Sequence, residues 1–186
     1  MNVLEELKTK ILLFDGGTGS LLQEAGLKPG ELPETWNITR PNHIVKLHRD
    51  YLEAGCDIIK TNTFGANRFK YNSSSEYGLK EIVTAAMENA KRAVREAGKG
   101  YIALDLGPTG KLLKPIGQLE FEEAVTVYRE VVEIGAAQEA DLILIETMSD
   151  TYELKAAVLA ARENSALPVF ATVIFDEKGK MLTGGT

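Results

Sequence analysis

Five short apolar runs divide the chain at fairly regular intervals, and polar residues follow each of the first four. The runs cover residues 11–14, 57–60, 101–104, 142–145 and 169–174. Within each run apolar residues occupy successive positions instead of alternating with polar ones, which is typical of strands covered on both faces in a parallel sheet. The pattern predicts five parallel strands over these ranges.

The segments between the runs show a different period. Apolar residues recur there every three or four positions, which predicts amphipathic helices as the connections between strands. Gly55 and Gly98 follow two of these segments and are predicted to end their helices in left-handed backbone. Asp150, with Glu153 three positions later, resembles a capping box at the start of another helix. The order of elements is therefore strand, helix, strand, as in a β/α protein.

Two architectures accept this order, a doubly wound open sheet and a (β/α)8 barrel. Gly17-Thr18-Gly19 begins a dinucleotide fingerprint but lacks its third glycine, and residues 107–111 lack the spacing of a phosphate-binding loop. In a barrel, polar residues at the ends of successive strands converge on one mouth. We therefore predict an α/β fold, a (β/α)8 TIM barrel that is incomplete in this chain and covers about its first five β/α units.

Length and charge narrow the class of protein. The 186 residues carry 27 acidic and 21 basic side chains, a net charge of −6, with no dense basic cluster. This balance argues against nucleic acid or a membrane as a partner. The single cysteine excludes an internal disulfide and fits the reducing cytoplasm. We interpret residues 1–186 as one unit, the N-terminal portion of a barrel domain, because a complete barrel usually needs about 250 residues.

Four polar motifs occupy the predicted strand ends. They are Asp15-Gly16-Gly17-Thr18-Gly19, Thr61-Asn62-Thr63-Phe64-Gly65, Asp105-Leu106-Gly107-Pro108-Thr109-Gly110 and Glu146-Thr147-Met148-Ser149-Asp150. Carboxylates and glycines dominate these motifs. A carboxylate directly after an apolar strand needs a partner when it is buried, so Glu146 in particular is a candidate for binding.

The motifs, taken in order, resemble the homocysteine-binding domain of cobalamin-dependent methionine synthase, within the homocysteine S-methyltransferase family. The resemblance rests on residues 14–20, 33–37, 57–66, 106–110 and 145–147, and it extends over nearly the whole chain from about Ile11. Betaine-homocysteine methyltransferase shares the domain more distantly. The resemblance implies a homocysteine-binding barrel that belongs to a methyltransferase.

The resemblance also implies cofactors. In that family the barrel binds zinc through three cysteines, one after the sixth strand and an adjacent pair after the eighth. Zinc holds the homocysteine sulfur as a thiolate, which attacks a methyl group on cobalamin or another donor. Those cysteines are expected beyond Thr186, so no metal ligand is expected in this chain, and the chain alone is expected to be inactive. Cobalamin and methyltetrahydrofolate are expected to bind other modules of the full-length protein.

Substrate contacts follow from the same resemblance. Asp15 and Glu146 are expected to accept the ammonium group of homocysteine, facing each other from the first and fourth strands. Gly16 and Gly17 are expected to present backbone amides to its carboxylate, because glycine lets a ligand approach the main chain closely. Asp105 is a second-tier candidate that could instead cap a loop amide.

Thr61, Asn62 and Thr63 are expected to line the wall of the site. The sequence leaves open whether Asn62 and Thr63 bind the substrate directly or hold the neighbouring loop. Cys56 precedes the second strand and is expected at the opposite face, as a small buried residue and not a zinc ligand. The site set is thus Asp15, Gly16, Gly17, Thr61, Asn62, Thr63 and Glu146, with Asp105 behind it.

Two further residues have structural and functional interpretations. Trp36 is expected to anchor packing, although an aromatic residue near the mouth could also cover the substrate. His48 lies on an apolar stripe and is expected to be structural, and its spacing from His43 does not suit a shared metal site.

Three functions remain open at this point. The first is the homocysteine-binding part of a zinc-dependent homocysteine S-methyltransferase of the methionine synthase type. The second is a metal-free half-barrel that binds an amino acid or a complementary half. The third is a generic barrel enzyme acting on a carbonyl or phosphate substrate, although the usual phosphate site would lie after strands that are absent here.

Overall fold

The computed structural model describes residues 3–185 and is built on a parallel sheet. The strands are β1 (Ile58–Lys60), β2 (Tyr101–Leu106), β3 (Leu142–Met148) and β4 (Val169–Val173), in the order β1-β2-β3-β4. Strands adjacent in the sheet are thus adjacent in sequence. A doubly wound sheet reverses its order at a switch point, whereas a barrel does not. The sheet is therefore an arc of a (β/α)8 barrel, as predicted.

The helices between the strands pack along one face of the sheet, and the short helix at residues 3–6 packs on the other face. They are α1 (Val3–Glu6), α2 (Thr18–Glu24), α3 (Trp36–Thr39) after a 3-10 turn (Pro33–Thr35), α4 (Pro41–Glu53), α5 (Leu79–Ala97), α6 (Phe121–Ala137) and α7 (Thr151–Asn164). The predicted glycine ends are confirmed, because Gly98 has φ 69° and Gly55, two residues beyond the end of α4, has φ 112°. Every helix within residues 3–185 is too short or too polar to span a lipid bilayer.

The first predicted strand, at residues 11–14, is wrong as a regular strand. Only Phe14 pairs, in an isolated parallel bridge with Ile58, although Leu13 O also accepts the Asp57 amide at 2.8 Å. The segment borders β1 on one side only, and Ile11 is 85% and Leu13 55% exposed. A segment that pairs on one side only and stays exposed gains too little from burial to form a longer ladder. The segment nevertheless runs beside β1 and delivers Asp15 to the carboxyl end of the sheet.

Alternate residues of the strands form two separate apolar layers. Toward the helices, Ile59, Ile102, Leu104, Ile143 and Ile145 belong to the main core. On the inner face, Ile58, Ala103, Leu142 and Leu144 pack together with Val3 of α1. Because side chains alternate along a strand, the next inward positions are Lys60, Asp105 and Glu146. The inner face is thus apolar at its base and charged at its carboxyl end.

The buried carboxylate of Glu153 holds the loop after β2. Asp150 caps α7 as predicted and accepts the Tyr152 amide at 2.7 Å. The other half of the predicted capping box is wrong, because the Glu153 carboxylate turns to the loop instead. Its Oε1 accepts the Thr109 amide at 2.7 Å, the Thr109 hydroxyl at 2.6 Å and the Tyr128 hydroxyl at 3.1 Å. One buried acceptor therefore serves three donors from two elements.

We expect Glu153→Ala to lower the free energy of unfolding by about 3 kcal/mol, because three buried donors lose their common acceptor. Urea denaturation of the chain, followed by the fluorescence of its single tryptophan, Trp36, measures the change. Glu163→Ala, at an exposed position of the same helix, should change the value by less than about 0.5 kcal/mol. Equal effects of the two substitutions would contradict this role of Glu153.

Candidate functional site

Four charged side chains meet at the carboxyl end of the sheet. They are Lys60, Asp15, Asp105 and Glu146, and together they are called the Lys60 cluster below. Lys60 Nζ lies 3.2 and 3.1 Å from the two carboxylate oxygens of Glu146 and 4.0 Å from Asp15 Oδ1. The structure thus brings three of the predicted site residues together around a lysine that the sequence analysis missed.

Asp15 is buried with only part of its carboxylate paired. Its Oδ2 accepts the backbone N–H of Lys60 at 3.0 Å, while Oδ1 is buried and has no hydrogen-bond partner among the described residues. Burial raises the pKa of Asp15 to about 7, against the lowering effects of the Lys60 N–H and the Lys60 charge. Asp15 therefore changes its charge close to neutral pH.

Asp105 lies on the inner face of β2 and is also buried. Its Oδ1 finds no hydrogen-bond partner within residues 3–185. Burial raises the pKa of Asp105 well above its usual range, and repulsion from Glu146 raises it further. Asp105 thus favours its neutral form more strongly than Asp15 does.

Lys60 remains charged in this environment. Burial alone would lower its pKa, but Glu146, Asp105 and Asp15 attract the ammonium and the net effect raises the pKa. A sequence signal for Lys60 did exist. It stands two positions after the inward-facing Ile58, so strict alternation places it on the inner face together with the acids.

A cavity of about 410 Å³ opens beside the cluster. Its walls come from four segments: Gly17, Thr18 and Gly19; Pro33 and Glu34; Lys60, Asn62 and Phe64; and Glu146 and Thr147. A second, mainly apolar groove of about 420 Å³ lies between α2 and α4, away from the strand ends. The first cavity is the candidate site, because charged groups from several strands converge there.

Thr61 and Thr63 are fully buried and tie the ends of β1 and β2 together. Thr61 Oγ1 accepts the Asp105 amide at 3.1 Å, and Thr63 Oγ1 donates to the Asp105 carbonyl at 2.7 Å. The two hydroxyls lie 2.7 Å apart. Neither residue lines the cavity. Their hydroxyls fix the backbone that carries Asp105.

Asn62 lines the cavity but its side chain is engaged by protein. Its Nδ2 donates to the Pro33 carbonyl at 2.9 Å, and the backbone carbonyl of Asn62 accepts Asn37 Nδ2 at 2.8 Å. Both bonds join the loop after β1 to the segment around the 3-10 turn. Asn62 therefore holds the wall of the cavity in place.

Glu34 is a second residue that the sequence analysis missed. It is 3% exposed and lines the cavity. Its Oε1 accepts the Gly65 amide at 2.6 Å and its Oε2 accepts the Tyr71 hydroxyl at 3.0 Å. Glu34 lies within the run at residues 33–37 that carries part of the family resemblance. Glu34 and Asn62 together lock the loop at residues 61–65.

The glycine turn after Phe14 is packed against α4. The Tyr51 hydroxyl donates to the Gly17 carbonyl at 3.2 Å. A Cβ added to Gly16 would lie 2.9 Å from the same hydroxyl oxygen, closer than such atoms approach in folded proteins. Gly17 lines the cavity and Gly16 does not. A side chain at position 16 would have to displace the Tyr51 ring.

A backbone irregularity presents Glu146 to the cavity. Thr147 has φ 62°, which is a rare conformation for a β-branched residue, and the pairing of β3 with β4 shifts register between Ile145 and Met148. The Thr147 amide donates to Thr172 Oγ1 at 3.0 Å. Strained backbone of this kind often occurs at functional sites.

The remaining candidates lie away from the cavity. Cys56 is half-buried before β1, and its Sγ donates to the Phe14 carbonyl at 3.4 Å. Trp36 is fully buried, as expected of a packing anchor, and donates to Glu31 Oε1 at 2.7 Å. His48 is fully buried, and burial lowers its pKa to about 4. In the part of the chain that the structure describes, no group of three or more His, Cys, Asp or Glu side chains could hold a metal ion.

Comparison with known sequences identifies related proteins. The profile of the family described as homocysteine S-methyltransferase matches residues 12–186. The methionine synthase of Mycobacterium tuberculosis (strain ATCC 25618 / H37Rv) is 32% identical over 202 residues, which cover 98% of this chain and 17% of that protein. The methionine synthase of Mycobacterium leprae (strain TN) is 31% identical, over 98% of this chain and 16% of that protein. The chain spans about a sixth of the length of these relatives.

Comparison with solved structures supports the fold. The metallated form of the homocysteine methyltransferase MmuM from Escherichia coli superposes with a TM-score of 0.82 at 20% identity, covering 97% of this chain and 69% of that chain. Its oxidised form gives the same TM-score, covering 96% and 67%. At this identity the likeness concerns the fold alone, and it confirms the incomplete α/β barrel.

We expect Gly16→Ala to lower the free energy of unfolding by about 1 to 3 kcal/mol, because its new methyl group would displace the Tyr51 hydroxyl. Urea denaturation followed by Trp36 fluorescence gives the value. Gly19→Ala is the matched control, since a Cβ there would meet no atom of residues 3–185 within 4 Å. The cost of Gly16→Ala should shrink in a Tyr51→Phe background, and an unchanged cost would contradict the proposed clash.

Proposed function

The chain belongs to the homocysteine S-methyltransferase family, and we propose that its cavity binds the amino-acid end of homocysteine as part of a methionine synthase type of methyltransferase. The observation that carries the proposal is the Lys60 cluster at the cavity wall. Glu146 faces the cavity, and behind it Asp15 keeps a buried oxygen without a partner among the described residues. A cationic ligand is the natural complement of such a site.

An α-ammonium group suits these acceptors. It offers three N–H donors and a positive charge, and Asp15 and Glu146 supply anionic oxygens from two sides. A hydrogen bond to a charged group contributes about 1.5 to 3 kcal/mol, so these two contacts give much of the discrimination in favour of an amine. Asp105 supports them from behind as a further acidic group.

The rest of an amino acid finds complementary walls. Gly16 and Gly17 remain the proposed amide donors for the substrate carboxylate, with Gly17 on the cavity surface. Phe64 is 41% exposed and also lines the cavity, which gives the substrate methylene groups an apolar surface. Asn62, Thr61 and Thr63 act in this proposal by holding the loop that carries Phe64.

The chemistry of methyl transfer needs groups from other parts of the protein. The described residues offer no cysteine or histidine set for zinc, and Cys56 lies at the opposite end of the sheet. Zinc held by residues outside this chain is part of the proposal by virtue of the family, as are other modules of the full-length protein that bind cobalamin and methyltetrahydrofolate. The great length of the methionine synthases that this chain matches supports such modules. The activity belongs to that full-length protein.

The composition of the chain supports a proposal about the setting of the protein. One cysteine and a net charge of −6 suit the cytoplasm and give no surface for nucleic acid. Residues 1–186 are proposed to be the N-terminal portion of a single barrel domain. Homocysteine and the remaining modules are its proposed partners.

Calorimetric titration of the full-length protein with L-homocysteine tests the proposed function. We expect binding that weakens about tenfold or more in Glu146→Gln, because the ammonium loses a charged acceptor. Glu163→Gln, on the exposed face of α7, should leave the dissociation constant unchanged. Absence of homocysteine binding to the unmodified full-length protein would overturn the proposal.

We expect homocysteine affinity to rise with pH between 6 and 8. The pKa of Asp15 in the free site is about 7, and the arriving ammonium favours the ionised carboxylate, so binding lowers that pKa. Affinity therefore falls up to about tenfold for each pH unit below 7. Titrations at pH 6, 7 and 8 measure the trend. Asp15→Asn should bind more weakly and lose this dependence, whereas an unchanged slope in that variant would assign the titration to another group.

A further inference from the structure

Lys60 occupies the position that the proposed function gives to the substrate ammonium. Its Nζ lies 3.1 Å from Glu146 Oε2 and 4.0 Å from Asp15 Oδ1, so a protein cation already pairs with one proposed acceptor and lies near the other. A second ammonium cannot make the same contacts while Lys60 keeps this position. Ligand binding therefore requires Lys60 to give way.

Lys60 is placed to move. Its side chain is 14% exposed and forms part of the cavity wall, and the four-carbon stem of a lysine is flexible. Asp15 is held in place by full burial and by its bond to the Lys60 amide. The ammonium of Lys60 can therefore turn into the cavity without a change in the backbone, whereas the carboxylate of Asp15 cannot.

We infer that Lys60 is a specificity-determining residue that selects ligands carrying both an ammonium and a carboxylate group. The ligand ammonium takes the place of the Lys60 ammonium at Glu146 and Asp15, and the Lys60 ammonium turns to the ligand carboxylate. The inference rests on the proposed function and adds to it the reason for recognising an α-amino acid and not a simple amine.

Charge balance favours this exchange. With an α-amino acid, one ammonium replaces another at the carboxylates, and the displaced Lys60 finds a new anion. With a simple amine, two cations share the same narrow site and the Lys60 ammonium has no anion to which it can turn. Like charges at contact distance repel strongly in a poorly hydrated site. An amine is therefore rejected although it carries the group that the carboxylates bind.

A purely structural role for Lys60 leaves the unpartnered oxygens of the neighbouring acids unexplained. A lysine that served only to neutralise the acids would be expected to satisfy them, yet Asp15 Oδ1 and Asp105 Oδ1 are buried and lack partners among the residues described. Buried acceptors of this kind are rare, and each needs an explanation. An ammonium that bridges the acids from a ligand, with Lys60 moved aside, provides donors for these oxygens.

The test compares two ligands that differ only in the carboxylate. L-homocysteine and 3-amino-1-propanethiol are titrated into the full-length protein by calorimetry, and the ratio of their dissociation constants is the readout. We expect the unmodified protein to prefer homocysteine, and Lys60→Met to reduce the preference about tenfold or more, mainly because the amine binds more tightly. Lys60→Arg, which keeps the charge, should retain most of the preference.

Two further variants complete the experiment. Lys46→Met removes an exposed lysine of α4 and should leave both dissociation constants unchanged. Lys60→Gln can still donate to Glu146, so it serves if the methionine variant does not fold, and it should lose the preference in the same way. A uniform weakening of both ligands, with the ratio intact, would overturn the inference and assign Lys60 to structure alone.

The outcomes separate this inference from the proposed function. Homocysteine binding with a ratio independent of Lys60 overturns the inference alone. If homocysteine does not bind but another α-amino acid, such as methionine, is preferred over its decarboxylated amine through Lys60, the proposed function fails and the inference holds. Absence of binding by every α-amino acid tested overturns both.

Discussion

One ammonium group serves three carboxylates in a space largely closed to water, and the site depends on this imbalance. Lys60 contacts Glu146 directly and lies within 4.0 Å of Asp15, while Asp105 acts on it through its charge. Burial raises the pKa of Asp15 and Asp105, and the charge of Lys60 offsets this effect only in part. The two buried acids consequently favour their neutral forms more than exposed carboxylates do, and a second cation beside them would favour their ionised forms.

The scaffold around the cluster is rigid for reasons that are independent of the cluster. Thr61 and Thr63 fasten the Asp105 backbone, Glu34 fastens the Gly65 amide, and Glu153 fastens the loop at Thr109. Each of these bonds joins two segments that are distant in sequence. Polar residues at the strand ends thus divide into those that build the walls and those that face the cavity. Between such fixed walls, Lys60 can move from the protein carboxylates to the carboxylate of a ligand, as the inference requires.

The sequence predicted the sheet, its parallel order and the carboxylates at its ends, because apolar runs followed by polar residues carry that information directly. It predicted a full strand over residues 11–14, where the edge position and the exposure of the side chains limit pairing to a single bridge. It missed Lys60 because the residue was counted as part of a strand, although alternation from Ile58 places it inward. It missed Glu34 since a carboxylate in a loop gives no periodic signal, and its bond to Gly65 forms only in the folded chain.

The energetics of the Lys60 cluster favour a role in binding over a role in stabilising the fold. A buried ion pair seldom stabilises a fold more than apolar residues of similar size, because both charges must leave water. The base of the inner face is already apolar, because the side chains of Ile58, Ala103 and Leu142 pack together there. Continuing that layer would avoid the desolvation of four ionisable groups and the unpartnered oxygens of Asp15 and Asp105. Lys60 and Glu146 of this group line the cavity, so the proposed binding of a ligand with opposite charges would account for a cost that stability does not explain.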